Sequence, residues 1–149
     1  MSPPGPLLLA EALPHGTAVA GLGIDLCEIA RITQALERHG ARFIDRLFLP
    51  GEIRRSPSSP AFAEHVAGLF AAKEAAMKAL GTGMRGVAFR EIALVREPGG
   101  PPRLALLGRA RERALRLSVA AAHVSITHDR HQAAAVVLLL RDTPPSLRQ

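Results

Sequence analysis

The stretch FAAKEAAMKALGTG, Phe70 to Gly83, decides the fold, because it is apolar on almost every side of a helical turn. A helix that is apolar all round lies in a core rather than on a surface. Glu74 and Lys78 stand four residues apart on one of its faces, with Lys73 beside them. An i, i+4 ion pair is the ordinary interpretation of such spacing, but it belongs to exposed helices. Charges among apolar neighbours need a partner, a metal or an anion, so this segment is a candidate site.

The helix ends in the triplet Gly81-Thr82-Gly83. Glycine directly after a helix is most often a C-cap. The same triplet can also turn backbone N–H groups toward a phosphate. By itself the triplet does not distinguish a cap from a phosphate loop, and both interpretations stay open.

A second stretch, GLGIDLCEIARI, begins at Gly21. Its pattern predicts a strand from Val19 to Asp25 and a helix from Leu26 to His39 that stops at Gly40. Asp25 therefore falls where the strand ends and the helix begins. A lone aspartate at such a position usually caps the helix, but its carboxylate can also face a ligand.

Outward from these stretches, the pattern predicts alternating short strands and helices. The last predicted strand, AAAVVLLL, is continuously apolar, which indicates burial on both faces. Strands joined by short turns favour a single α+β domain in which an antiparallel sheet packs against helices. The further predicted elements are a helix at Arg42–Leu49, a loop at Arg54–Pro60, a helix from Pro60 to Leu80 with Ser59 as N-cap, strands at Val87–Val95 and Arg103–Leu107 joined by a turn at Glu97–Pro102, a helix at Gly108–Leu117, and strands at Ala122–Thr127 and Ala133–Leu140.

Size and composition fit one domain. The chain has 149 residues, of which we assign 1–17 to a loose extension, 18–141 to the domain and 142–149 to a tail. The single cysteine, Cys27, excludes an internal disulfide framework and indicates a reducing cytoplasm. The apolar run near the start is too short for a signal or a membrane span. The formal charge of +6 suits an anionic partner, namely nucleic acid, a phosphate-rich cofactor or an acidic protein.

Arginine spacing offers a further feature. Arg31, Arg38, Arg42 and Arg46 would share one helical face if the helix continued through Gly40. Such a stripe is either a solvated face or a docking surface for an acidic partner. The histidines are less informative: we interpret His15, His39 and His65 as surface residues, and His128 as a residue at a strand end beside Asp129.

Taken together, the two stretches resemble the holo-acyl-carrier-protein synthase family of phosphopantetheinyl transferases. The matching pattern is Gly-x-Gly-Ile-Asp leading into a helix with Arg-Ile, then Phe-Ala-x-Lys-Glu-Ala-x-x-Lys-Ala-x-Gly-Thr-Gly about fifty residues on. The closing HVSITHDRHQAAAVVL is also similar to the last strand pair of that family. The resemblance covers roughly Ala18 to Leu140. It implies the α+β fold of these transferases, a homotrimer, and active sites at subunit interfaces.

The resemblance also implies roles for individual residues. Asp25 and Glu74 match Mg²⁺ ligands, and Lys78 matches a lysine at the coenzyme A phosphates. Gly81, Thr82 and Gly83 match the loop along coenzyme A, and His128 matches a histidine near its nucleotide end. The implied reaction transfers 4′-phosphopantetheine from coenzyme A to a serine of an acyl carrier protein for fatty acid biosynthesis. Either Glu74 or a water on the metal would take the serine proton. In this family, basic residues on the first helix dock the acidic carrier, which the stripe Arg31, Arg38, Arg42 and Arg46 would do here.

Two departures from the family pattern concern affinity. Family members commonly carry arginine where this chain has Leu69, and losing a charge-assisted bond costs about 1.5–3 kcal/mol. They also tend to have Ser or Thr shortly before the glutamate that Glu52 matches, where Pro50-Gly51 stands here.

Three other functions remain open from the sequence. The chain could serve a dedicated polyketide or peptide synthase, bind a carrier as a non-catalytic trimer, or bind nucleic acid. Asp25, Glu74 and Lys78 argue against the non-catalytic trimer, and the scarcity of stacking aromatics argues against nucleic acid.

Overall fold

The computed structural model describes residues 16–142, and it confirms the α+β class with antiparallel sheets. The predicted extension 1–17 and tail 142–149 lie almost wholly outside the described residues, as does His15. Two sheets form instead of one, a three-stranded sheet in the order β1-β5-β4 and a separate β2-β3 pair. The elements are β1 (Thr17–Glu28), α1 (Ile29–His39), α2 (Ala41–Leu47), α3 (Phe62–Leu80), α4 (Gly83–Gly86), a 3₁₀ turn (Phe89–Glu91), β2 (Ile92–Val95), β3 (Arg103–Leu106), α5 (Gly108–Arg116), β4 (Val119–His128) and β5 (Gln132–Asp142).

The boundary between the first strand and the first helix lies three residues later than predicted. Leu26 to Glu28 continue β1 because they pair with Ala134 to Gln132 of β5. Leu26 therefore leaves the predicted helical face, and 63% of its surface is exposed on the sheet. Asp25 lies inside the strand, so the interpretation of Asp25 as a helix cap is wrong.

The helix α3 forms the centre of the core, as its sequence predicts. Most of its residues from Val66 to Leu80 are buried, and it packs across one face of the three-stranded sheet. The helix starts at Phe62 rather than at Pro60, and Ser59 is not its N-cap residue. Instead the Ser59 hydroxyl accepts the Ala61 N–H at 3.3 Å, within a turn that precedes the helix.

A buried ion pair connects this helix to the end of α2, to the turn that follows it and to the 3₁₀ turn. The Lys73 side chain is fully buried, and its ammonium donates to Glu52 Oε1 at 2.8 Å. It also donates to the carbonyls of Leu47, 2.8 Å away, and Phe89, 3.1 Å away. Burial lowers the pKa of Lys73, and the Glu52 carboxylate opposes that shift. Glu52 in turn accepts the N–H of Leu94 at 3.1 Å, which holds β2 against this ion pair.

The region predicted as a strand from Val87 to Val95 divides in two. Phe89 to Glu91 form a 3₁₀ turn, and only Ile92 to Val95 are extended. The Glu91 carboxylate accepts the Ala88 N–H at 2.8 Å, which closes the turn. The sequence pattern favours a strand here, but this hydrogen bond and the one from Lys73 to the Phe89 carbonyl stabilise a turn instead.

The far face of the three-stranded sheet is apolar along β1 and β5, and it has no cover within the described part of the chain. Along β5, Ala133, Ala135, Val137 and Leu139 are buried against α3 while the alternate residues are half-buried or exposed. The prediction that this strand is buried on both faces is therefore wrong for the single chain. Large apolar side chains exposed on this face belong mainly to β1, namely Leu22, Ile24 and Leu26, with Val136 beside them on β5. Between residues 16 and 142, no helix is both long and apolar enough to cross a membrane.

Candidate functional site

Two glycines bring the helix and the strand of the site into direct contact. A side-chain carbon at Gly21 or Gly23 would overlap the carbonyl oxygen of Ala79 or Ala75, respectively, on α3. Only glycine permits this backbone approach. The Gly-x-Gly at Gly21 and Gly23 therefore allows α3 to pack closely on β1. As a consequence, the next inward-facing residue of the strand, Asp25, lies against the charged face of the helix.

Asp25 and Lys78 form the first contact of the site. Asp25 is 8% exposed, and Lys78 Nζ donates to its Oδ1 at 2.9 Å. The same ammonium donates to the carbonyl of Ile24 at 3.0 Å. Lys78 therefore pairs with Asp25 across the interface between helix and strand, and the i, i+4 pair with Glu74 does not form. Its side chain is 56% exposed, so the charge lies at the edge of the buried region.

Asp25 and Glu74 form a pair of carboxylates in a confined space. The second oxygen of Asp25, Oδ2, is buried and has no hydrogen-bond partner. Burial first, and then the neighbouring Asp25 carboxylate, raises the pKa of Glu74 to about 7. Burial and the same two carboxylates also raise the pKa of the Cys27 thiol to about 11. The negative charge of Asp25 and Glu74 is therefore only partly balanced by nearby positive charge.

This arrangement fits a divalent cation. Carboxylate oxygens are the ligands that Mg²⁺ prefers, and it commonly uses only one or two of them together with water and substrate phosphates. The unpartnered Oδ2 of Asp25 and the adjacent Glu74 supply two such ligands. Among the described residues, no group of three or more His, Cys, Asp or Glu side chains could hold a metal. The remaining positions would therefore fall to water and to phosphate oxygens.

The glycine triplet caps α3. Gly81 adopts the left-handed conformation, and its N–H donates to the Lys78 carbonyl at 3.0 Å. The Thr82 N–H donates to the Met77 carbonyl at 3.2 Å. The C-cap interpretation is confirmed, and these two N–H groups are engaged within the protein. Gly83, also at positive φ, opens the short helix α4.

A basic cavity of about 600 Å³ lies beside the first half of α3. His128 and Leu69 both line it, so the cavity contains the position where the family pattern has arginine. The Nδ1 atom of His128 lies 3.7 Å from Glu64 Oε2. His65 also lines it, half-buried rather than on the surface, and accepts the Arg54 N–H at 3.2 Å. Other charged lining residues are Glu52, Arg55 and Arg96.

The four arginines of the predicted stripe are exposed, but they do not share one helix. Gly40, at φ 56° and ψ −132°, ends α1 and precedes α2. Arg31 and Arg38 therefore lie on one helix, and Arg42 and Arg46 lie on the next. The condition for a continuous helical face is not met, although the predicted stop at Gly40 is confirmed.

Sequence reasoning missed two features of the site region. Lys73 was grouped with Glu74, whereas it forms the buried pair with Glu52. Its side chain leaves the helix on another face, and only the partner 21 residues away explains its charge. The sequence predicts Arg54 and Arg55 only as loop residues, and the structure shows that they line the basic cavity. The only signal is a doublet of adjacent arginines at the start of that loop.

The comparisons with known proteins agree with this geometry. The family model of the 4′-phosphopantetheinyl transferase superfamily matches residues 21–137, so the chain belongs to that superfamily. A holo-[acyl-carrier-protein] synthase of Koribacter versatilis is 45% identical over 122 residues, which cover 81% of this chain and 98% of that protein. Another, from Solidesulfovibrio magneticus, is 49% identical over 122 residues, with the same coverage of 81% and 98%. The crystal structure of the Helicobacter pylori holo-[acyl-carrier-protein] synthase in complex with coenzyme A is 32% identical, has a TM-score of 0.68, and covers 79% of this chain and 98% of that one.

Proposed function

We propose that this chain transfers 4′-phosphopantetheine from coenzyme A to a serine of an apo acyl carrier protein. The observation that carries the proposal is the confined Asp25–Glu74 carboxylate pair beside Lys78, in a member of the phosphopantetheinyl transferase superfamily. The serine oxygen forms a bond to the β-phosphorus of coenzyme A. The bond from that phosphorus to the bridging oxygen breaks, and adenosine 3′,5′-bisphosphate leaves. The products are the holo carrier protein and this nucleotide.

Asp25 and Glu74 would hold Mg²⁺, with Asp25 Oδ2 as the uncommitted ligand. When bound, the ion supplies charge neutralisation on the transferring phosphate oxygens. Lys78 is positioned for the same task, because its half-exposed ammonium can turn from Asp25 toward a diphosphate. Phosphoryl-type transfer depends mainly on such positioning and electrostatic stabilisation. Either Glu74 or a water at the site would accept the serine proton.

Coenzyme A is the proposed co-substrate, and its nucleotide end is proposed to lie near His128. The support is the basic cavity that His128 lines, which offers arginine side chains to an anionic group. Gly81, Thr82 and Gly83 are proposed to lie along the cofactor through their exposed surface rather than through the N–H groups that cap α3. Leu69 cannot donate to a phosphate, so this chain would depend on the other cations of the cavity.

The carrier is proposed to dock on the arginines of the first two helices. Arg31, Arg38, Arg42 and Arg46 are exposed and available to acidic side chains. Docking of this kind acts mainly on the association rate and weakens with salt. We further propose a cytoplasmic enzyme, because its protein and nucleotide substrates belong to that compartment.

We also propose a homotrimer. The support is the uncovered apolar face of the three-stranded sheet, where several large side chains of β1 and β5 are exposed. Contiguous apolar surfaces of this kind commonly mark interfaces. Sedimentation equilibrium should give three times the chain mass, and a fully active monomer would contradict the proposal.

A non-catalytic carrier-binding trimer is the second candidate, and Leu69 is the observation in its favour. It places an apolar side chain, 8% exposed, against the cavity proposed for coenzyme A. Complete retention of Asp25, Glu74 and Lys78 favours the enzyme.

One assay tests the transferase function and the non-catalytic function together. The chain is incubated with coenzyme A, Mg²⁺ and apo carrier, and the intact mass of the carrier is measured. The enzyme adds one phosphopantetheine group per carrier, and chelation of the metal stops it. Lys78→Ala should impair use of coenzyme A and lower kcat. A carrier that binds but never gains mass, at any carrier concentration or with carriers from fatty acid, polyketide and peptide synthases, would favour the non-catalytic function.

A further inference from the structure

A second basic groove lies at the opposite end of α3 from the cavity. It has a volume of about 440 Å³ and opens between the glycine triplet and α5. Gly81, Thr82 and Gly86 form one wall. The other wall is a face of α5 that presents Arg109, Glu112, Arg113 and Arg116.

The arginines of this groove are arranged on one side of the helix. Arg109, Arg113 and Arg116 follow a spacing of four and three, which aligns them on one helical face. Arg113 Nε donates to the Leu80 carbonyl at 2.9 Å, and Arg109 Nε lies 3.4 Å from Glu91 Oε1. These contacts hold two guanidinium groups in place while leaving them further N–H donors. With Glu112 in the lining and Glu91 beside Arg109, the three arginines still exceed the carboxylates, so the groove keeps a net positive charge.

The lining chemistry indicates what this groove can bind. Glycine, threonine, arginine and glutamate line it, without a large apolar or aromatic side chain among the residues named. Small-molecule sites are mostly apolar, and nucleotide bases usually stack on aromatic or aliphatic surfaces. An open, polar, cationic groove instead suits carboxylates at the edge of a protein interface.

We propose that the α5 wall of this groove is a second docking contact for the acidic carrier protein, while the glycine wall stays with the cofactor; this rests on the proposed function. Gly81 follows Lys78 by three residues, so the groove begins about 5 Å along the helix axis from the lysine of the site. A standard protein interface covers about 800 Å² per partner, a disc of roughly 16 Å radius. A carrier that presents its serine at Asp25 and Glu74 therefore reaches the groove, and acidic side chains at its margin meet the α5 arginines.

Charge-reversal variants on α5 distinguish a specific contact in the groove from a general effect of the net charge of the chain. Arg116→Glu removes a groove arginine, and Arg111→Glu makes the same change on the same helix outside the groove lining. Arg116→Glu should raise KM for the carrier about threefold to tenfold at low salt, leave KM for coenzyme A unchanged, and lose most of its effect near 0.5 M salt. Arg111→Glu should stay within about twofold of wild type. Melting temperature and sedimentation of both variants verify that fold and assembly are intact.

Each other outcome overturns the proposal. Equal effects of the two variants mean that the net charge of the chain, not the groove, attracts the carrier. A change in KM for coenzyme A alone means that the groove takes cofactor phosphates. No change in either variant means that the α5 arginines are only solvated. Failure of the proposed function would be distinct, because wild type itself would then transfer nothing.

Discussion

The close packing of α3 against β1 can be tested with the variant Gly23→Ala, which adds a single methyl group at the contact. A side-chain carbon at this position would overlap the Ala75 carbonyl oxygen and lie 2.8 Å from the Ala79 nitrogen. Non-bonded carbon contacts rest at about 3.5–4.0 Å, so the helix must retreat by at least about 1 Å. Both atoms are backbone, and no flexible side chain can yield instead. The retreat would separate Glu74 from Asp25.

Two magnitudes follow from this displacement. Overpacking a core contact costs about 1–3 kcal/mol of stability. A 1 Å misplacement of reacting groups can cost about 10²-fold in rate. Gly23→Ala should therefore remain folded, with a lower melting temperature, and lose about two orders of magnitude in kcat/KM.

Gly51→Ala is a suitable control for this experiment. Gly51 has φ 89°, so alanine is strained there, but its side-chain carbon would meet open space. The control should lose a similar amount of stability with activity nearly intact, since Ala at positive φ destabilises without moving the site. Thermal melting and a transfer assay give the two readouts. A normal rate for Gly23→Ala would refute the claim that the glycines set the geometry of the site.

Three further predictions concern charges. Glu74→Gln should abolish transfer but raise the melting temperature at pH 8 without Mg²⁺, because a half-buried, ionised carboxylate beside another carboxylate destabilises the fold; a lower melting temperature would contradict this. Arg38→Ala/Arg42→Ala should raise KM for the carrier at low salt and leave KM for coenzyme A unchanged, and a wild-type value for the carrier would show that docking lies elsewhere. Lys73→Met should cost about 3–5 kcal/mol in urea unfolding because Glu52 is left buried without its partner, and adding Glu52→Gln should recover part of the loss.

The central helix and the charged positions on it could be predicted because their signals are local. An all-round apolar stretch with charges at a fixed spacing identifies α3 whatever the surrounding fold. Pattern alone could not place the end of β1, because Leu26 to Glu28 are extended only through their pairing with β5. The partner of Lys78 could not be predicted from the sequence either. Spacing suggested Glu74, whereas the contact with Asp25 joins residues 53 positions apart.

The roles of Gly21 and Gly23 could not be predicted from the sequence either. Gly21 and Gly23 read as weak points of a strand, since glycine packs no side chain. Their role is clear only in the folded chain, where the missing side chain of each glycine leaves room for a backbone carbonyl of α3. The buried Glu52–Lys73 pair is a second case. Neither residue has a sequence signal that names the other, although together they hold the loops around the site.

His65 offers a test of how the cavity responds to acid. Its Nε2 accepts the Arg54 N–H, which requires the neutral imidazole. Burial, and then the charges of Arg55 and Arg96, lower the pKa of His65 below its usual value. The unfolded chain therefore binds the proton more readily than the folded one. Under this linkage, the free energy of unfolding falls as pH drops below about 6.5 toward the lower folded pKa.

His65→Gln should remove this acid-induced loss, since the glutamine amide oxygen can accept the same N–H without titrating. We expect the melting temperature of wild type to fall relative to the variant between pH 7 and pH 5, by an amount that reflects one hydrogen bond worth about 0.5–1.5 kcal/mol. His39→Gln, which changes an exposed histidine at the end of α1, is the matched control. If the curves of wild type and His65→Gln stay parallel, or if His39→Gln alters the curve equally, His65 does not hold the Arg54 loop. The acid response belongs to this one histidine because protonation both breaks its bond to the loop and adds a third cation beside Arg55 and Arg96.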